Sequence, residues 1–325
     1  MQAFEYVNPA TVAEAVALLS PHWGETDVLA GGTDLISLMK EYIHTPTRLV
    51  NIKSIKELEG IRKSGNVLRI GALVTMDMLA KDEVVRSGYK ALSDAAAEIP
   101  SPQIRHMGTV GGDLCQRPRC WYFRNGFGLL ARKDNQPLVP AGENQYHAIF
   151  GGGPAYFVSA SSLGPPLVAM GARVKLVAAK GSREVAVKDF FLAPQDDRTR
   201  EIALRPDEIL TEILVPGPAW VSATHEVRQK EALDWPLATA SVALRLKGNV
   251  VTAANVVLGH VAPIPWAAPG AGKALAGKTI TVESAEAAGN AAVEGAQPLS
   301  RNAYKVQLAK VAVKRALLEA AKVKA

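Results

Sequence analysis

The sequence predicts an α+β protein in two parts, on three observations. Residues 1–52 alternate short apolar strands with amphipathic helices, the pattern of a small α/β unit. Two apolar runs, Ala238–Leu246 and Val250–Leu258, flank Lys247-Gly248-Asn249, a hairpin signal that belongs to an antiparallel sheet. Between these patterns stands Pro216-Gly217-Pro218, which marks a boundary between a first domain of 1–218 and a second of 219–325. A chain of 325 residues is expected to form two such domains.

Phe4-Glu5-Tyr6-Val7 reads as the first strand, and Thr11 to Leu19 as a helix. Thr11 is its N-cap, Glu14 stands at capping-box distance, and Val12, Ala15, Val16 and Leu19 form the apolar stripe. A strand at Val28–Ala30 then runs into Leu29-Ala30-Gly31-Gly32-Thr33-Asp34-Leu35. Leu35, Ile36, Leu38 and Met39 recur at helical spacing, so a helix is expected from Thr33 to about Tyr42, capped by Thr33 or Asp34. A glycine turn between strand and helix leaves backbone N–H groups free, which suits a phosphate, and a Cβ there would block its approach. Alone, such a Gly-Gly also serves as a plain tight turn. It is neither G-x-G-x-x-G nor a P-loop. A second glycine turn, Gly108-Thr109-Val110-Gly111-Gly112-Asp113, adds to it, because two turns can hold the two ends of one pyrophosphate.

The strand Arg48–Ile52 closes a first subdomain of about 1–55. In the second, of 56–218, Val67–Ala72 reads as a strand and Thr75 caps a short helix to Leu79. A helix at Tyr89–Glu98 gives way to an extended path through Ile99-Pro100-Ser101-Pro102. Residues 114–153 show no periodicity and read as a loop insertion. Tyr156–Val158, Val174–Ala178 and Ile209–Val215 are expected strands, and Ser162–Met170 a helix. Past the boundary, helices are expected at Gly270–Leu275, Ser284–Val293 and Asn302–Ala321. Lys305, Lys310, Lys314, Arg315, Lys322 and Lys324 read as a solvated face of the last one.

Hydrophobic residues at 48% and charged residues at 21% describe an ordinary globular chain with material for real cores. The net charge is +6 and the pI about 9.2, but the basic residues are scattered, which argues against nucleic-acid binding. No apolar run reaches the roughly 18 to 20 residues of a membrane span. The start, Met1 to Tyr6, has no basic region followed by an apolar core, so the expected location is cytoplasmic, with export on a partner's signal left open. Two cysteines, Cys115 and Cys120, do not make a disulfide scaffold. There is no nucleophile motif, no paired Cys-x-x-Cys, and six dispersed histidines without metal-ligand spacing. No catalytic residue and no metal site is therefore expected. Two anion-holding turns without an acid, base or nucleophile point to a cofactor carrier, in which the cofactor supplies the chemistry.

The two glycine motifs, with Gln103-Ile104-Arg105-His106-Met107 before the second, resemble the FAD-binding (medium) subunit of the molybdenum hydroxylases. That family includes xanthine dehydrogenase, the carbon monoxide dehydrogenase medium subunit and the aldehyde oxidoreductase FAD subunit. Three further stretches carry the resemblance through the chain: Lys230-Glu231-Ala232-Leu233-Asp234-Trp235-Pro236-Leu237, Gly259-His260-Val261-Ala262-Pro263-Ile264-Pro265-Trp266 and Asn302-Ala303-Tyr304-Lys305. The resemblance implies a two-part α/β FAD-binding domain of the PCMH type, followed by a smaller domain of a three-stranded antiparallel sheet with helices.

It also implies roles. Leu29, Ala30, Gly31, Gly32, Thr33, Asp34 and Leu35 would wrap the FAD pyrophosphate, and Thr109, Gly111, Gly112 and Asp113 would hold the other side. Ser162 matches a position, often Asp in relatives, near polar groups of FAD. Lys230 matches a basic residue near the flavin ring, with a solvated lysine as the alternative. The 114–153 loop is similar to one that carries a [4Fe–4S] cluster on four cysteines in a subgroup; with two, this chain is expected to keep the loop without the cluster. The partners implied are a molybdopterin-binding large subunit, a [2Fe–2S] small subunit and an external electron acceptor. The alternatives are a stand-alone flavin-binding protein and a nucleotide-binding structural protein without redox activity.

Overall fold

The computed structural model describes residues 1–196, 198–218, 220–230 and 233–323; Lys324, Glu231 and Ala232 lie outside them. The chain opens with β1 (Glu5–Val7), α1 (Val12–Ala17), β2 (Thr26–Leu29), α2 (Leu35–Lys40) and β3 (Arg48–Asn51). The three strands pair in parallel in the order β1-β3-β2, as helical crossovers require. Thr11 caps α1 by accepting the Glu14 N–H, while the Glu14 carboxylate takes the Ala10 N–H at 2.8 Å. Val12, Ala15 and Val16 pack with Val50, Ile52 and Leu58.

A 3-10 turn at Lys56–Leu58 leads to β4 (Ile61–Ser64) and β5 (Val67–Gly71). Five short helices follow: α3 (Met76–Lys81), α4 (Glu83–Gly88), α5 (Lys90–Ala97), α6 (Pro102–Met107) and α7 (Val110–Cys115). The prolines before the second glycine motif do not simply extend the chain. Ser101 accepts the Ile104 N–H at 3.3 Å and Pro102 takes the first helical position, where a missing N–H costs nothing. The irregular segment holds α8 (Trp121–Arg124) and a small hairpin, β6 (Arg132–Lys133) with β7 (Gln136–Pro137). No strand forms at Tyr156–Val158. Next come α9 (Gly164–Ala169), β8 (Arg173–Ala178), β9 (Gly181–Ala186), α10 (Val187–Phe190) and β10 (Ile209–Pro216). The five strands form an antiparallel sheet ordered β4-β5-β10-β8-β9. Leu68, Ile70, Val174 and Ile213 from this sheet share one core with Leu79, Leu92 and Leu167 from its helices.

The remainder is β11 (Val221–Val227), β12 (Ala238–Lys247), β13 (Val250–Gly259), β14 (Trp266–Ala267), α11 (Pro269–Leu275), α12 (Val282–Ala292) and α13 (Tyr304–Ala321). Gly248 turns the β12–β13 hairpin with φ +60°, as expected. The sheet has four antiparallel strands, β11-β12-β13-β14, rather than three. The fourth is two residues paired with Val257 and Leu258, too short and too close to prolines to show as a pattern. Leu275, Ala288 and Leu317 from the helices share a core with Ala240, Val242 and Leu258. Two contacts lock α5 against β11: the Ala91 N–H donates to Ser222 Oγ at 3.2 Å, and Thr224 Oγ1 donates to the Ala91 carbonyl at 3.0 Å.

Lys305 departs from its solvated reading. It is 1% exposed and its ammonium donates to the carbonyls of Tyr146, His147 and His260, pinning α13 to the irregular segment. An ammonium has three donors, and this site supplies an acceptor for each.

Leu317 is fully buried at the centre of the helix–sheet core. Leu317→Ala is expected to lower stability by about 2–5 kcal/mol, read from the midpoint of a urea unfolding curve.

Candidate functional site

β2 ends at Leu29, and residues 30–34 turn the chain into α2. Gly32 sits at φ +74°, where only glycine fits without strain. Gly31 meets another constraint. A Cβ there would lie 1.8 Å from the carbonyl oxygen of Met107, at the end of α6. The missing side chain thus makes room for a neighbouring backbone, where the sequence suggests room for a ligand. The N–H groups of Gly31, Gly32, Thr33 and Asp34 donate to no protein atom among the described residues. Four such donors in a row form a concavity for an anion.

The second glycine motif is not a turn but the start of α7. Thr109 caps it by accepting the Gly112 N–H at 3.0 Å. The Val110 and Gly111 N–H groups donate to the Val74 and Ala72 carbonyls at 2.8 and 2.9 Å. These donors are already committed to protein, so this motif offers a small, smooth wall instead. Asp113 is a strut: its carboxylate accepts Ser161 Oγ at 2.5 Å and the Leu163 and Ser162 N–H groups at 3.0 and 3.2 Å. Burial pushes its carboxyl above the ordinary aspartate value, against the pull of these donors.

Asp34 makes no capping bond to α2. Its carboxylate accepts the Arg117 N–H at 2.8 Å and meets Arg124 Nη2 at 2.7 Å and Arg119 Nη2 at 3.2 Å. One carboxylate thereby ties the irregular loop to the glycine turn. The Arg117 guanidinium reaches His44 Nε2 at 2.8 Å and Glu201 at 2.5 Å, and His44 Nδ1 meets Asp27 at 3.0 Å. Arg200 flanks Glu201 and lies over the Trp23 ring, 4.1 Å from its centroid.

Two cavities share Thr33, Asp34, Thr109, Gly112 and Gln116 in their walls. One, of about 190 Å³, runs toward Ile99, Asp113, Ser162, Glu226 and Trp235. The other, of about 160 Å³, includes Ala30, Gly31, Gly32 and Leu35 and runs toward Trp23, His44, Arg117 and Arg200. Gly111 faces a smaller space of about 100 Å³ with Ala30 and Cys115. Leu29 is buried in the core of the parallel sheet. Lys230 is exposed and lines none of these cavities; its N–H donates to Asp234 at 3.0 Å, and it is Asp234 and Trp235 that face inward. Sequence reasoning missed Arg117, Arg119, Arg200 and Glu226. The first two were in view within the loop, but nothing local to Arg200 or Glu226 signals a site.

An extended anionic cofactor fits these walls. Besides the four free N–H groups, the Nε donors of Arg119 and Arg200 are buried without an acceptor among the described residues. Burial lowers the Arg117 guanidinium to about 10 and lowers Arg119 as well, a penalty that a nearby phosphate would relieve.

The loop does not fit a cluster. Cys115 and Cys120 are both free thiols, and no group of three or more His, Cys, Asp or Glu side chains among the described residues is arranged to hold a metal. Cys120 Sγ meets His147 Nε2 at 3.1 Å. Burial raises that thiol and pushes the imidazole down to about 4, so the pair is neutral at pH 7. Burial also pushes the Cys115 thiol up to about 12.

This fold and its walls define a carrier of an extended, anionic cofactor. A family model described as the FAD binding domain in molybdopterin dehydrogenase matches residues 2–218, and one described as the CO dehydrogenase flavoprotein C-terminal domain matches 223–320. The chain belongs to the FAD-binding medium subunits of the molybdenum hydroxylases, and is an oxidoreductase subunit with FAD as its cofactor. It is 32% identical to the carbon monoxide dehydrogenase medium chain of Hydrogenophaga pseudoflava, over 97% of this chain and 96% of that one. It is 31% identical to the aldehyde oxidoreductase FAD-binding subunit PaoB of Escherichia coli, over 98% and 99%. The solved carbon monoxide dehydrogenase from Hydrogenophaga pseudoflava, in a form lacking the Mo-pyranopterin moiety, superposes with a TM-score of 0.77 at 30% identity, covering 99% of this chain and 98% of that one. A stand-alone flavin-binding protein finds no support among these relatives.

Gly31→Ala drives a methyl group into the Met107 carbonyl; it is expected to cost about 1–3 kcal/mol of stability and to leave the purified chain without bound flavin. Iron and acid-labile sulfide analysis of the purified chain is expected to give well under one iron per chain, and about four would contradict the reading of the loop.

Proposed function

We propose that the chain is the electron-output subunit of a multisubunit molybdenum hydroxylase, and that FAD lies along the two joined cavities. The observation that carries this is the run of unbonded N–H groups at Gly31, Gly32, Thr33 and Asp34, faced by the buried arginines. In this reading those donors hold the pyrophosphate, with Ala30 and Leu35 at its flanks and Leu29 fixing the strand end beneath. Thr109 and Gly112 give the cofactor a wall of small residues, and Gly111 lets that wall pack closely on Ala72 behind it. Asp113 seats Ser162 beside it. Arg119 and Arg200 add positive charge that the glycine motifs lack.

When bound, FAD supplies the redox chemistry; the chain binds it, orients it and keeps it from water. Ile99 and Trp235 narrow the cavity of about 190 Å³, with the Arg119 guanidinium lying over the Trp235 ring. Lys230 keeps a proposed role only as an exposed cation beside the rim, next to Asp234, which lines the cavity. A molybdopterin-binding large subunit would oxidise the organic substrate, and a small subunit with [2Fe–2S] clusters would deliver electrons to this chain, which passes them to an external acceptor. The relatives that match along nearly their whole length carry names such as medium chain and FAD-binding subunit, which supports an assembly of this kind. Two free thiols fit a reducing compartment, the cytoplasm. We divide the chain at Pro218, with 1–218 carrying most of the cofactor wall and 219–325 closing it.

The visible absorption spectrum of the protein purified at native abundance tests this reading. Flavin bands, FAD as the released chromophore and two co-purifying subunits that contain molybdenum and iron are expected. A colourless chain that takes up ADP and not FAD would contradict it in favour of a nucleotide-binding structural protein.

A further inference from the structure

Glu226 lies on β11, paired across the sheet with Thr239. It is 9% exposed and lines the cavity of about 190 Å³ together with Thr33, Gly112, Asp113 and Ser162. Its Oε1 is buried without a hydrogen-bond partner among the described residues. No cation forms an ion pair with it among the described residues, although Arg228 acts on it from a distance. Arg228, two residues on, gives its guanidinium to the Glu98 carboxylate and the Glu98 carbonyl. Arg119 serves Asp34 and lies 4.5 Å from the centroid of the Trp235 ring. The other charged groups around the cavity are carboxylates: Asp113, already closed by its own donors, Asp34 and Asp234.

A carboxyl oxygen buried without a partner is costly, and a ligand that completes its hydrogen bonding removes that cost. The position is well held. Thr224, on the same strand, is tied to Ala91 and lies 2.8 Å from Ser241 Oγ, so Glu226 is carried by a strand fixed on both sides. We propose that Glu226 is a cofactor-positioning residue whose carboxyl group donates a hydrogen bond to an acceptor atom of FAD from the C-terminal wall of the cavity, opposite the glycine turn. This rests on the function proposed above.

The charge state agrees with the geometry. Burial, against the opposing pull of Arg228 and of the Ser162 hydroxyl and with Glu98 and Asp113 adding to it, pushes the Glu226 carboxyl up to about 8, so it keeps its proton at neutral pH. An ionised carboxylate there would face the pyrophosphate charge of FAD; the acid form adds a donor instead. FAD then binds the protonated form, and binding raises the carboxyl pKa further. Affinity is full below about pH 8 and falls above it, by at most about tenfold per pH unit, because each FAD bound takes up one proton.

The test is a fluorescence titration of the flavin-free full chain with FAD from about pH 7 to about pH 9.5, for wild type, Glu226→Gln and Glu226→Ala. Wild type should lose affinity about tenfold per unit above pH 8. E226Q, an amide that donates without titrating, should keep the wild-type affinity at pH 7 and show no such slope. E226A should bind weakly at every pH while its thermal melt stays cooperative. A wild-type slope retained in E226Q, or an E226A affinity equal to wild type, overturns the proposal. A wild-type chain that takes no FAD at any pH overturns the function proposed above and this inference with it.

Discussion

The carbonyl oxygen of Met107 stands where the side chain of residue 31 would begin, and much of the site follows from that contact. Because residue 31 is glycine, the turn after β2 can lie directly on the end of α6. Thr109 and Gly112 follow α6 immediately, so two motifs separated by more than seventy residues become one continuous wall. Asp34, at the far end of the turn, then collects the backbone of Arg117 and the guanidinium groups of Arg119 and Arg124. A loop with little secondary structure of its own is held against the first glycine turn by one carboxylate.

The division of labour between the glycine motifs follows from their hydrogen bonds. The first keeps its N–H groups free; the second uses its own to fasten α7 to the chain after β5. Free donors select an anion, and a wall of glycine and threonine selects only for closeness. The C-terminal sheet completes the enclosure because Ser222 and Thr224 fix β11 to α5, which delivers Glu226, Asp234 and Trp235 to the open side.

The sequence disclosed what is local. Strand, turn and helix around Gly31-Gly32, the Thr11 and Thr75 caps and the Gly248 hairpin are all written in neighbouring residues. What escaped depends on distant partners. Lys305 has the spacing of a solvated helix face, and only tertiary structure supplies the three carbonyls that hold it inside. Asp34 has the position of a cap, yet stronger partners arrive from residues 117–124. The prolines at 100 and 102 signal extension, while Ser101 and Pro102 together also make a helix start. The fourth strand of the C-terminal sheet, at Trp266–Ala267, is too brief for any periodicity to reveal. Glu226 is an ordinary strand residue until the fold closes over it.

In the proposed function, an electropositive site of turn N–H groups and arginines anchors FAD by its pyrophosphate. Calorimetric titration of the flavin-free chain with FAD and with riboflavin, which lacks the phosphates, separates this anchoring from binding through the flavin ring alone. One FAD per chain is expected, with riboflavin weaker by at least about a hundredfold, since charge-assisted hydrogen bonds to the phosphates contribute about 1.5–3 kcal/mol each. Equal affinity for the two, or none for either, would contradict it.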